Sequence, residues 1–517
     1  MKTVDSSMPV PAHTGRGKTL VLIASVLTMV CAVVYFASKG KIILLLAGGV
    51  ALAASYVLFR SPELATLVFA FVLYTNMPVV GVQVHRVPTI VAAASSLLLV
   101  LPLANYLIRR RERLIVDRAF FLILIYFVAF LASALFAKDM TIVFNEIANF
   151  LLEGLVLYYL LINVIRELRT LKRTIWALLL AGSLLGSLSL FQEVTRTYSN
   201  SYGGFAQKSE DLDMDQVNFE EYGGSRRAGG PFGKENRYAQ VMLVIFPMAL
   251  CMFYIAPSRK LKFLALGAAG LILGGIVLTF SRGAFVTLAG MMVIIVFLRY
   301  VRPAQALGGA ALLVLAIIVA LPEYVERIST VGNLSNLASR GDGAIEADGS
   351  LRGRFAQNLA AVVVFLEHPV LGVGPGQFAK FYSQRYGNEI GTKRLHSNRR
   401  AHNLYLEIAA DMGMIGLITF MTIPLFMVRR LWQLRRRLRD IRPDLAHLAT
   451  AILLGIFGYF GTATFLHLSY QRYYWFLLAL AGATIRIFDL ELAASPSPEN
   501  HVIKDERFAE GEKIPHK

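Results

Sequence analysis

Apolar residues run along this chain in blocks of about twenty, the length that crosses roughly 30 Å of hydrocarbon, with short charged connectors between them. The blocks fall near 18–37, 41–59, 62–80, 88–108, 119–137, 143–165, 173–194, 237–256, 261–280, 283–300, 304–321, 403–428, 446–466 and 471–488. They predict an all-α, polytopic transmembrane helix bundle of about 14 spans (12 to 14), with a large, partly helical extracytoplasmic loop. The third block is the weakest, because Asn76 and Pro78 interrupt it. The first follows Arg16 and Lys18 but is longer than a signal-peptide core and lacks a clean small-x-small cleavage site, so it reads as a span.

Composition agrees with a membrane solvent. The 517 residues are 56% hydrophobic and 17% charged, too apolar for a soluble globule. Cys31 and Cys251 lie inside separate apolar blocks, which leaves no disulfide framework, no thiolate metal site and no expectation of redox chemistry. A net charge of +18 would suggest nucleic acid in a soluble protein. Here the Lys and Arg flank the spans, where they orient the chain and meet anionic lipid.

The basic connectors alternate. Arg109 to Arg111 with Arg113, then Arg166, Arg169, Lys172 and Arg173, then Arg259, Lys260 and Lys262, then Arg299 and Arg302, and finally Arg429 to Arg442 fall on one side, the cytoplasmic one. Lys39 and Lys41 violate the rule mildly. The expected organisation is a cytoplasmic segment over 1–17, spans over 18–321, an extracytoplasmic catalytic loop over 322–402, spans over 403–488 and a cytoplasmic, disordered tail over 489–517.

The opposite face receives the long irregular segments, 196–236 and 322–401, and the tight Ser281-Arg282-Gly283 connector. Loops of this length more often carry function than filler. Arg282 would stand at lipid-phosphate depth, where a guanidinium serves either as an interfacial anchor or as a phosphate clamp. Arg354 opens an apolar helical stretch that ends at Glu367-His368-Pro369, before Gly372-Val373-Gly374-Pro375-Gly376, a turn-rich segment without dinucleotide spacing. His402 precedes a span and is the side chain best suited to accept a proton near neutral pH, although an interfacial histidine is the plainer reading. Glu407 and Asp411 enter that span, where carboxylates face a cavity or a partner. A metal set of His368, His396, His402 and Glu407 lacks close ligand pairing among its histidines. No cofactor is expected.

Together these segments resemble the O-antigen ligase and polysaccharide polymerase superfamily of bacterial inner-membrane glycosyltransferases. The resemblance rests on His402-Asn403 followed by Gly413 and Gly416, on Arg354 ahead of His368-Pro369 and Gly372-Val373-Gly374, and on Ser281-Arg282-Gly283-Ala284. A looser match, Arg227 to Asn236, leads into a span. Members often have Trp where Asn358 stands and Pro where Glu235 stands, which blurs the branch. The resemblance implies glycan transfer from undecaprenyl diphosphate to an acceptor hydroxyl at the periplasmic face, with neither nucleotide sugar nor metal ion. It implies His402 as catalytic base, Arg282, Arg354 and Arg227 on the diphosphate, and Asn403, Glu407, Gly413 and Gly416 in support.

The acceptor would be lipid A core for a ligase, or a second lipid-linked glycan for an exopolysaccharide polymerase. A transporter or flippase is the competing class, for which repeated halves with polar or broken mid-membrane helices are expected; the sequence shows no such repeat. The apolar helix after Arg354, with Val363 and Phe365, is expected to lie over a lateral opening for the carrier's polyprenyl chain.

Overall fold

The computed structural model describes residues 55–89, 91, 94–209, 227–309, 311, 349–383, 386, 400–468 and 471–494. The expected spans at 18–37 and most of 41–59, most of the one at 304–321, and the tail beyond 494 lie outside the described residues. Among those described, the architecture is a helical membrane bundle with one two-stranded antiparallel ribbon, β1 (Gln207–Lys208) and β2 (Ala228–Gly230). The protein is a multi-pass membrane protein: among the described residues six helices are long and apolar enough to cross a bilayer, or seven if one bent pair counts as a span, and shorter apolar helices accompany them.

The bent pair is α1 (Pro62–Tyr74) and α2 (Met77–Gln83), at 50° to each other. Asn76 takes the left-handed conformation at φ 57°, which Asn tolerates better than most residues, and Pro78 has no N–H to continue a ladder. The interruption read in the sequence is therefore a real break. Next come α3 (Leu97–Ala104), α4 (Arg118–Ala134) and α5, a 25-residue helix over Met140–Val164 that widens to π-helical geometry at Phe150–Val156. They are followed by α6 (Leu168–Thr195), α7 (Glu235–Ile255), α8 (Arg259–Val277), α9 (Arg282–Phe297), α10 (Gly349–Glu367), α11 (Leu404–Leu438), α12 (Pro443–Ala463) and α13 (Gln471–Ala494).

Lipid tails are as apolar as leucine, so helices in a bilayer associate by close packing rather than by hydrophobic driving force. At the crossing of α6 and α8, a Cβ on Gly186 would stand 2.2 Å from the Leu271 carbonyl oxygen, so only glycine permits that approach. Elsewhere aromatic rings fill the interior. Tyr126, Phe150, Phe420, Tyr474 and Trp475 interlock across α4, α5, α11 and α13 with ring centroids 4.8 to 5.5 Å apart.

The basic connectors gather at one end of the bundle, tied by Arg173–Glu63 (2.8 Å), Lys172–Asp444 (3.0 Å), Arg430–Asp489 (2.8 Å) and Arg442–Glu491 (3.1 Å). The described parts of the segments singled out for chemistry lie at the other.

Candidate functional site

The site begins with the first turn of α11. Asn403 caps it: Oδ1 accepts hydrogen bonds from the backbone N–H groups of Tyr405 (3.0 Å) and Leu406 (3.1 Å), two of the donors every helix start leaves unpaired. The chain is therefore extended at the cap, and His402 stands just ahead of it. Glu407, one turn further, is buried and receives the guanidinium of Arg400 at 2.5 Å. Glu146 of α5 stands 3.8 Å from the same guanidinium. Burial works against the charge on Arg400, but the carboxylates of Glu407 and Glu146 outweigh it and push its pKa upward.

A second histidine faces His402. His467, in the connector between α12 and α13, packs its ring edge-on against that of His402, with centroids 6.0 Å apart. Its carbonyl accepts from Arg237 Nη2 (2.8 Å), and Arg237 is held in turn by Gln240 (2.6 Å), whose amide donates to Thr462 (2.9 Å). Burial, with the nearby cations Arg400 and Arg237, drives the His467 pKa well below the ordinary histidine range, so its imidazole stays neutral.

The turn carrying Arg282 abuts the same connector. Ser281 caps α9 through its Oγ and donates to Asn236 Oδ1 (2.7 Å), which fastens α9 to the start of α7. Gly283 packs on Phe465, where a Cβ would lie 2.7 Å from the ring. Arg282 itself is exposed. Arg227 reaches the same turn, donating from Nε to the Thr279 carbonyl (3.1 Å) and pairing with Glu235 (2.8 Å). Glu235 also accepts from Asn236 (2.8 Å) and from Ser209. Glu235 is thus the partner of Arg227.

Arg354 stands apart on α10, which packs against α11. Its Nε is buried without a hydrogen-bond partner among the described residues. One face of α10, with Ala356, Ala360, Ala361 and Val364, is buried, while Phe355 and Leu366 are exposed.

The turn after α10 explains the glycines. At Gly413 (φ 64°, ψ −165°) α11 breaks, and the loop from Pro369 to Gly374 crosses the break so closely that a Cβ on Gly413 would stand 2.3 Å from the Val370 carbonyl. The loop takes up the freed backbone groups: Met414 N–H donates to Pro369 O (2.8 Å), and Val373 and Gly374 N–H donate to Ala410 O (3.2 Å) and Asp411 O (2.8 Å). The Asp411 carboxylate accepts from Gly376 N–H (3.0 Å) and Phe378 N–H (2.9 Å). Both intramembrane carboxylates of α11 therefore face partners, as expected.

The structure groups His402, Asn403, Glu407, the Arg282 turn and Arg227 at one end, and holds Arg354 on the helix beside α11. His396 lies outside the described residues, and among those described no group of three or more His, Cys, Asp or Glu is placed to hold a metal ion. Sequence reasoning missed Arg400, Arg237 and His467. A buried Glu407 asks for a cation, and Arg400, two residues before His402, was the available signal; for His467 the available signal was its position between the last two spans.

Residues 267–421 match the family model described as O-antigen ligase. The O-antigen ligase match spans Arg282, Arg354, Arg400, His402, Glu407, Gly413 and Gly416, and stops short of His467. Its family comprises lipid-linked glycan transferases of polysaccharide biosynthesis. No curated protein matches the chain.

Proposed function

We propose that the protein transfers a glycan from undecaprenyl diphosphate to an acceptor hydroxyl at the periplasmic face of the bacterial inner membrane, in the manner of an O-antigen ligase and without a metal ion. The observation that carries the reading is His402, just ahead of the Asn403-capped start of α11 inside the matched region, at the end where the Arg282 turn also lies.

In this reaction the acceptor oxygen forms a bond to the sugar's anomeric carbon as that carbon's bond to the diphosphate breaks. The acceptor proton passes to His402, whose imidazole needs only to lie within hydrogen-bond reach of it. The electron pair leaves with the diphosphate, where fixed guanidinium groups stabilise the developing charge. Arg282 and Arg354 fill that role, with Arg227 as a third, anchored by Glu235. Asn403 and Glu407 support the base by fixing the helix start and by holding Arg400. Gly413 lets the loop approach the helix, and Gly416 leaves room for Met412 across the break. Lipid A core is the proposed acceptor.

The test is transfer from carrier-linked glycan by the purified protein in lipid, with lipid A core and a second carrier-linked glycan offered separately. His402→Ala is expected to lower kcat about 10²–10⁴-fold, and Arg282→Ala or Arg354→Ala about 10²–10³-fold. Transfer only to the second carrier-linked glycan would make the protein a polymerase. Carrier-linked glycan crossing vesicles without transfer would replace the enzyme by a flippase.

A further inference from the structure

A cavity of about 360 Å³ lies outside the His402 cluster, between α1, α2, the segment leading into α3, α5 and the start of α13. Its volume is in the range of small-molecule sites. Phe69, Val72, Val79 and Leu152 contribute apolar wall; Gln83, Ser95 and Ser96 contribute amide and hydroxyl groups. Three further polar residues line it as one network: Arg472 donates from Nη1 to Glu153 (2.9 Å) and from Nη2 to Asn76 Oδ1 (2.8 Å), and Asn76 Nδ2 donates to the Pro231 carbonyl (2.9 Å).

Two irregularities of the helices converge here. Asn76 is the break between α1 and α2, and Glu153 sits in the π-helical stretch of α5. Glu153 is about 20 Å along its helix from Met140, well inside a span. A carboxylate at such depth, beside a broken helix and a π-segment, points to a binding site by default. The transfer chemistry proposed above uses none of them.

The network also indicates what would bind. Arg472 and Glu153 are the charged residues of the lining and pair with each other, so the wall as a whole is net neutral. A carboxylate that accepts beside a guanidinium that donates, with hydroxyls, an amide and apolar walls, matches a ring whose hydroxyls both donate and accept and whose C–H faces are apolar. The Asn76–Pro231 bond ties the cavity to the turn after β2, and His85 Nε2, 2.9 Å from Gly203 O, ties the α2–α3 connector to the loop before β1. Both attachments lie at the His402 end. We infer that this cavity is a saccharide subsite that holds a neutral hexose unit of a glycan engaged at that face. The inference rests on the glycan-transfer reading, and the hexose would belong to either the donor or the acceptor glycan.

The test uses the full-length protein in lipid nanodiscs, with maltose, cellobiose and lactose as probes followed by saturation-transfer NMR, alongside KM for each glycan substrate. Val79→Trp and the exposed Ser96→Trp fill the cavity; Glu153→Gln removes the charged acceptor. Binding of at least one disaccharide is expected, weakened about tenfold by each variant, the scale of one hydrogen bond to a charged group. KM should rise by a similar factor for one substrate with kcat held. A rise for the acceptor alone assigns the cavity to the acceptor glycan, and a rise for the donor alone assigns it to the donor. Normal transfer with no disaccharide binding and both KM values unmoved in Ser96→Trp would overturn the subsite and leave the transferase standing. Variant-sensitive binding without any transfer would sustain the subsite and overturn the transferase.

Discussion

The two ends of the bundle use the same ion pairs in different surroundings. At the basic end Arg430 meets Asp489 at 2.8 Å, and the carboxylate side chain is 46% exposed; at the other end Arg400 meets Glu407 at 2.5 Å, and that carboxylate is 6% exposed. The two arginines are equally exposed, at 31%. Bond length hardly separates the pairs, whereas the solvation of the acid does. An exposed pair exchanges water contacts for a contact of similar worth. A buried carboxylate that loses its cation keeps its charge where water cannot reach it.

The largest expected effect follows directly. Arg400→Ala should destabilise the protein by about 3–5 kcal/mol, because Glu407 is left buried and unpaired. Adding Glu407→Gln should recover part of the loss. Thermal and denaturant unfolding in lipid nanodiscs measures both. A loss below about 1 kcal/mol would place this pair in the same class as those of the basic end.

A second contrast concerns pH. Since folding lowers the pKa of His467, the unfolded chain binds a proton that the folded one refuses as pH falls below the unfolded value of about 6.5. Its contribution is constant above that value, and stability is lost on the acid side, down to the folded pKa. His467→Gln should flatten the unfolding-midpoint profile between about pH 6.5 and 5. An unchanged slope would mean that His467 takes up its proton in the folded state.

How much of this was legible in the chain depends on whether a property is local. The described spans follow from runs of apolar residues, and the break at Asn76 followed from Asn and Pro within one run. The histidine and its cap could be read because Asn403 acts on the two residues just after it. The pairing of Arg400 with Glu407 joins residues seven apart in the chain and was readable in principle from the cost of a buried acid. The partnership of His402 with His467, or of Arg472 with Asn76, is different: nothing near either residue encodes the other, and only helix packing brings them together. Gly413 was read as a motif position, but its reason, a loop carbonyl 2.3 Å from where a Cβ would stand, belongs to residues 370 and 413 jointly.

A smaller effect tests the local kind of information. Asn403→Ala should cost about 1 kcal/mol, since it removes one side-chain acceptor from two helix-start N–H groups. If Asn403 serves the reaction only through the cap, Asn403→Asp, which also accepts from those N–H groups, should restore stability and kcat together. Recovery of stability without kcat would give Asn403 a direct part in the chemistry.

The smallest effect closes the comparison at the basic end. Arg430→Ala removes a pair with two short contacts to Asp489, 2.8 and 3.0 Å, yet is expected to cost only about 0–1 kcal/mol. That cost should shrink further as salt is raised from 0.05 to about 0.5 M, because exposed charges are screened beyond a few ångströms at high ionic strength. The Arg400→Ala penalty should be nearly indifferent to the same change, since Glu407 is shielded from the ions. If both penalties fell together with salt, the two ends would share one electrostatic environment, and the distinction drawn from the buried acid would have no energetic content.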